Sequence, residues 1–187
     1  MANQTSAFFD LVQKRQSVRR FTEATVEREK LIQCVKAAHL APSAENSQPW
    51  QYIFVDNKEL KKKLARRAFS GVFRATRWAQ NAPVLVVLCA KLDIVANRIG
   101  KHISGIPYYL LDMGISGEHF VLQAQELGLG SCWIGWFSAR GAKRALNLPR
   151  LWRPVAMLAV GYSAHQRIRQ KKRRDVEEIY EFNGVPG

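Results

Sequence analysis

The feature that most constrains this chain is the stretch from Tyr108 to Leu127, its longest run of helically spaced apolar residues, closed by Gly128 and Gly130. Glycines placed just after such a run end helices, because the left-handed backbone there costs glycine little. The helix feeds SCWIGWF (Ser131 to Phe137), an apolar strand candidate, and Ser138 can cap the short helix that follows. Upstream, Ala7 to Lys14 sets Phe8, Phe9, Leu11 and Val12 at helical spacing. A second helix is expected after Thr25 as N-cap, with Leu31, Cys34, Val35, Ala38 and Ala41 on one face and Pro42 as its stop. WQYIFV (Trp50 to Val55) reads as a strand, and Asp56-Asn57 then opens a short basic helix. Pro83 introduces VLVVLCA, a buried-strand pattern, and Arg153 to Tyr162 (RPVAMLAVGY) is the last strand. The order is helix, helix, strand, helix, strand, helix, strand, helix, strand. No opening strand feeds a glycine-rich turn, so a Rossmann unit is not indicated and an α+β or mixed sheet domain is expected.

Composition narrows the class further. The chain has 187 residues, 47% apolar and 24% charged, enough for one domain with a real core. There is no internal repeat. One domain over residues 1–187 is expected, with a basic C-terminal extension at 164–187. No run approaches eighteen apolar residues, which argues against a membrane span. The first residues lack a basic and apolar leader, and Cys34, Cys89 and Cys132 are few and scattered. A reducing, cytoplasmic setting is therefore expected. The 29 Lys and Arg against 15 Asp and Glu give a formal charge of +14, which suits an anionic partner. Lys58 to Arg77 carries eight basic residues, and Gln166 to Arg174 (QRIRQKKRR) six in nine. His39, His102, His119 and His165 show no metal spacing. Hydrolase, Walker, zincin and EF-hand motifs are missing.

Three segments stand out as chemistry. KRQSVRRF presents Arg15, Ser17, Arg19 and Arg20 at the end of the first helix. Guanidinium forks with a hydroxyl between them suit a phosphate, although a solvated basic helix end has the same composition. APSAENSQPWQY (Ala41 to Tyr52) offers Ser43, Asn46, Ser47 and Gln48 around two prolines, either a ligand loop or a self-satisfied turn. GLGSCWIGW places Gly135 in a strand pattern, which fits either close packing or a ligand against the backbone.

Together these segments resemble the nitroreductase family of flavin enzymes. Arg15-Gln16-Ser17-Val18-Arg19 matches the family's R-x-S-x-R after the first helix. Ala41, Pro42, Ser43, Asn46, Gln48, Pro49 and Trp50 match A-P-S-x-x-N-x-Q-P-W. Leu127 to Gly135 matches L-G-L-G-x-x-W-I-G, and Lys171 with Arg173 matches the closing K-x-R. Asp175 stands where many relatives carry proline.

The resemblance implies a nitroreductase-like α+β fold, a mixed or antiparallel sheet flanked by helices, in an intertwined homodimer with FMN at its interface. It implies Arg15, Lys171 and Arg173 on the FMN phosphate with Gln16 and Ser17 beside it, and Arg19 near flavin N1. Pro42, Ser43, Ala44 and Asn46 would come from the partner chain. Backbone around Trp133, Ile134 and Gly135 would line the ring, and Arg74, with Arg77 one turn on, would lie near its pyrimidine edge. The implied activity is ping-pong hydride transfer from NADH or NADPH to flavin N5 and on to a small organic acceptor, a nitroaromatic or quinone. No side chain is expected as an obligatory acid or base. The alternatives are reductive dehalogenation, heterocycle oxidation or flavin destruction on the same fold. From a different class, a basic nucleic-acid-binding protein is the rival; otherwise such contact is expected only as a secondary effect of charge.

Overall fold

The computed structural model describes residues 6–92, 105–165 and 170–184. His102 and the first four residues of the QRIRQKKRR block lie outside them. Helix α1 is Ala7–Lys14, with the Ser6 hydroxyl accepting the Phe9 N–H at its N-terminus. Helix α2 is Arg28–His39. Its cap is Glu27 rather than the expected Thr25, and no side chain closes it. Strand β1 is Trp50–Val55 and α3 is Lys58–Ala68, capped by Asn57 through the Leu60 N–H. A 3₁₀ segment over Gly71–Asn81 leads to β2, Val84–Lys91. Helix α4 is Tyr108–Glu126, β3 is Gly130–Ile134, α5 is Ala139–Ala145 and β4 is Trp152–Gly161.

The four strands lie in the order β1-β2-β4-β3, every neighbouring pair antiparallel. Central β2 is buried on both faces. Val84, Val86, Leu88 and Ala90 pack under α2 and α4, while Leu85, Val87 and Cys89 pack under α3 and α5. That double coverage is why its sequence is a continuous apolar run rather than an alternation. Pro154 sits in a central strand because the β2–β4 register shifts between Leu88 and Cys89, and the irregularity spares a ladder N–H.

Two expectations about α4 and β3 change in detail. Gly128 (φ 76°) ends α4 in a Schellman turn: the Leu129 N–H reaches Ala124 O at 2.8 Å and the Gly128 N–H reaches Gln125 O at 3.1 Å. Gly130 is not a cap. It opens β3, where a Cβ would fall 2.8 Å from Val18 Cγ2. β3 stops at Ile134 instead of Phe137 because the next residues turn to the 3₁₀ segment: Trp136 Nε1 donates to Val72 O and Thr76 Oγ1 donates to Trp136 O.

Candidate functional site

α1 ends at Arg15, whose N–H still reaches Leu11 O. The chain then runs along the free edge of β3. Ser17 pairs in parallel with Ser131, and the Val18 N–H donates to Ser131 O at 2.9 Å. Further on, Phe21 bridges Ser163 and the Thr22 N–H reaches Tyr162 O. This path puts Gln16, Ser17, Arg19 and Arg20 around a cavity of about 140 Å³ closed by Ser163 and His165.

The C-terminal segment completes the basic group. Lys171 Nζ donates to Val12 O in α1. Burial, then repulsion from Arg15 and Arg173, hold Lys171 below the ordinary lysine range, while Glu118 pulls the other way. Three cations therefore converge, and Glu118 Oε1 stands 3.7 Å from Arg15 Nε. Such a set suits a phosphate, whose charge near −2 would relieve the mutual repulsion. Arg173 itself is exposed and donates to the neighbouring Lys172 carbonyl.

The same carboxylate holds a ring. Glu118 Oε2 accepts from Trp133 Nε1 at 3.1 Å. The indole lies flat enough on α4 that a Cβ at Gly117 would meet Trp133 Cη2 at 2.2 Å, so only glycine fits there. Ile134 is buried in the α3–α5 side of the core, which leaves only its backbone to face a ligand. Gly135 is exposed, and a Cβ there would touch nothing within 4 Å, so an open surface lies in front of it. Bordering it, the Arg19 guanidinium sits 5.8 Å over the Trp78 ring, and Arg74 and Arg77 are exposed on the same 3₁₀ segment.

The Pro42–Asn46 loop lies elsewhere on α4. Glu45, Asn46 and Gln48 all have left-handed φ, between 44° and 53°. The fold is held by the Ser43 hydroxyl accepting the Gln48 N–H and by Asp112 Oδ1 accepting the Ala44 N–H, each at 3.0 Å. Asp112 is buried at 3% exposure, which raises its pKa against the pull of the Ala44 N–H and Ser47. Its Oδ2 and the Ser47 hydroxyl come close without meeting hydrogen-bond geometry. Asp112 and Glu118 are six residues apart, about 9 Å along the helix. The structure thus brings Arg15, Lys171 and Arg173 together, lines Gln16, Ser17 and Arg19 along β3, and sets Pro42, Ser43, Ala44 and Asn46 at another station of α4.

Glu118 and Asp112 are the site residues that sequence reading missed. The available signal was a carboxylate recurring within the apolar pattern of the longest helix, since buried Asp and Glu are rare unless partnered. Cysteine chemistry finds no support: burial pushes Cys34 and Cys89 up to about 12, and raises Cys132 against the pull of Arg19, Ser17 and Arg15.

The Nitroreductase family model matches residues 12–162. A relative from Archaeoglobus fulgidus, provisionally named NADH dehydrogenase/NAD(P)H nitroreductase, is 31% identical over 139 residues, spanning 73% of this chain and 72% of its own. A nitroreductase family protein from Clostridium difficile 630 superposes with a TM-score of 0.81 at 28% identity, covering 97% of this chain and all of that one. An FMN-dependent nitroreductase from Clostridium difficile R20291 superposes with a TM-score of 0.75 at 28% identity, covering 94% and 98%.

Proposed function

The chain belongs to the nitroreductase family, and we propose that it passes electrons from NADH or NADPH to a small organic acceptor such as a nitroaromatic or quinone. Its class follows from the family: it is an FMN-dependent NAD(P)H oxidoreductase. Bound FMN supplies the two-electron chemistry. The protein supplies position, charge and shielding. Arg15, Lys171 and Arg173 hold the phosphate, with Gln16 and Ser17 beside it. Arg19 would meet the edge of the ring that gains negative charge on reduction and would favour the reduced form there. The backbone at Trp133, Ile134 and Gly135 lines the ring, and the bare Gly135 surface leaves its face open to nicotinamide and acceptor in turn. Glu118 fixes both Arg15 and the Trp133 indole, tying the phosphate end of the site to the ring end.

Pro42, Ser43, Ala44 and Asn46 act from the second subunit of a homodimer. The support is the apolar surface that one chain leaves open. α1 buries none of its residues, and Phe8, Phe9, Leu110, Leu111 and Ile115 are exposed on α1 and α4. Leu40, beside the loop, is 79% exposed, and Phe182 in the C-terminal segment 81%. Uncovered apolar area on this scale marks a protein interface.

The observation that carries this reading is the convergence of three cations at the end of α1. The purified protein should show a flavin spectrum and release FMN on denaturation. Arg15→Ala should weaken FMN by roughly tenfold to 150-fold, the loss of charge-assisted bonds of about 1.5–3 kcal/mol. Riboflavin, without the phosphate, should bind both forms equally poorly. A colourless protein that takes up no FMN would overturn the proposal, and unchanged FMN affinity in Arg15→Ala would remove Arg15 from the phosphate.

A further inference from the structure

Most of the net charge lies outside the cation cluster at the end of α1, although Arg74 and Arg77 border the open surface at Gly135. Residues 58–81 and 139–150, which form α3, the 3₁₀ segment and α5, hold twelve Lys and Arg against one acid, Glu59. That net +11 is the larger part of the chain's +14. The two helices form one layer. The Ser138 N–H reaches Ala68 O at 2.9 Å, and a Cβ at Gly141 would fall 2.1 Å from Arg67 O. Their inner faces, Leu64, Ala65, Ala68, Ala142 and Ala145, are buried against β2 and β4. The basic side chains are consequently left on the outside, with Arg66, Arg67, Arg140 and Arg144 exposed. Structural duty accounts for few of the twelve. Lys61 is fixed on the carbonyls of Ala82 and Pro83, Lys143 on that of Arg150, and Lys62 pairs with Glu59.

What this layer lacks is equally informative. α3 and α5 expose no large apolar side chain, and the 3₁₀ segment between β1 and β2 adds a single one, Val72. A protein partner needs an apolar or aromatic anchor at the centre of its footprint, and stable membrane attachment needs an apolar insertion besides charge. Base stacking along a strand needs a series of exposed aromatic faces, and the border offers one, Trp136, already tied to Phe73, ring centroids 5.2 Å apart, and to Val72 O. Charge alone suffices for one kind of ligand, a regularly spaced phosphate backbone. Seven of the twelve cations are arginines, whose forks match phosphate oxygens.

We propose that the α3–α5 layer is a docking surface for the backbone of double-stranded nucleic acid, read by charge and without sequence preference. This goes beyond the oxidoreductase reading and does not depend on it. The apolar α1 and α4 surface is on the other side of the sheet, so a dimer formed there keeps its basic layers free, one on each subunit.

The test compares position with net charge. One variant carries Arg66→Ala, Arg140→Ala and Arg144→Ala, and a second carries Arg28→Ala, Lys36→Ala and Arg174→Ala. All six positions are exposed and both variants keep +11. Binding of a fluorescent 20-base-pair DNA duplex is followed by anisotropy between about 50 and 200 mM salt, alongside vesicles of phosphatidylserine and phosphatidylcholine. Wild type should bind duplexes of unrelated sequence equally, with a steep salt dependence. The layer variant should lose tenfold or more at low salt, and its salt slope should flatten by about one for each phosphate contact removed. The second variant should lose less than threefold. Equal losses in the two variants, no duplex binding by wild type, or tighter binding to the vesicles than to the duplex would each overturn the proposal.

Discussion

The two helical layers on this sheet are built from opposite materials. α1, α2 and α4 together carry four Lys and Arg against five Asp and Glu, and leave leucine, isoleucine and phenylalanine side chains in the open. Residues 58–81 and 139–150 carry twelve against one and leave Val72 as their one exposed large apolar side chain. Both cover the same strands, and both bury an alanine-rich or leucine-rich inner face. The difference is therefore in what each layer turns outward. An uncovered apolar surface is complete only against another protein surface, whereas a saturated basic surface is already stable in water. The first layer accordingly holds the cation cluster of the candidate site and the proposed dimer contact, and the outward faces of α3 and α5 are free for other use.

The comparison breaks most sharply if charge is placed in the apolar layer. Leu111→Arg puts a guanidinium into the proposed interface twice, once per subunit. An unpaired buried charge costs about 3–5 kcal/mol. The dimer should weaken by roughly a thousandfold, read by sedimentation, while Arg66→Glu in the other layer should leave assembly intact. A dimer indifferent to Leu111→Arg would place the interface elsewhere.

A smaller effect is expected inside the basic layer. Gly141→Ala forces a methyl onto the Arg67 carbonyl, 2.1 Å away, and backbone cannot yield as a side chain can. Overpacking of this kind costs about 1–3 kcal/mol, or some 3–10 °C in melting temperature for a chain of this size. Assembly and FMN affinity should stay as they were. A melting temperature within a degree of wild type would show that α3 and α5 can part without penalty.

The smallest effect sharpens the other side. Asp112 is the buried charge of the apolar layer, and its folded pKa is raised by burial. Its ionised form is thus a burden that is absent below the unfolded value near 3.8, grows from there up to the folded pKa and is constant above it. Asp112→Asn keeps an acceptor for the Ala44 N–H. It should melt with wild type at pH 3.5 and above it at pH 7. A lower melting temperature at pH 7 would mean that the carboxylate has a charged partner across the dimer.

How much of this was legible beforehand depended on the range of each interaction. Ala7–Lys14 and Trp50–Val55 were readable to the residue from local periodicity and composition, and the caps Asn57 and Ser138 marked the starts of α3 and α5. The end of β3 was not, because Gly135 to Phe137 look like strand and are drawn off by Val72 and Thr76, some sixty residues away. The Thr25 cap failed for a related reason: the backbone enters α2 at Glu27, whose carboxylate is taken by Tyr162 Oη. Arg15, Lys171 and Arg173 were readable as a pattern, and they lie near one another in the fold. Glu118 and Asp112 were hidden, because a carboxylate on a helix says nothing of its partner until the facing strand or loop is placed.

The hydrogen bond from Lys171 to Val12 joins residues 159 apart in the chain. Contacts of that separation form late in folding, after the loop-closure entropy has been met by the core between them. During synthesis at about 5–20 residues per second, Lys171 follows Val12 by roughly 8–30 s. In its last stretch, from Gly161 to Lys171 and about 0.5–2 s at that rate, a nascent chain can own α1, the sheet and both helical layers and still have an open clamp. On the proposed role of Lys171, cofactor capture becomes a test of completeness: a chain released or cleaved before that residue should keep its core and lose its grip on FMN.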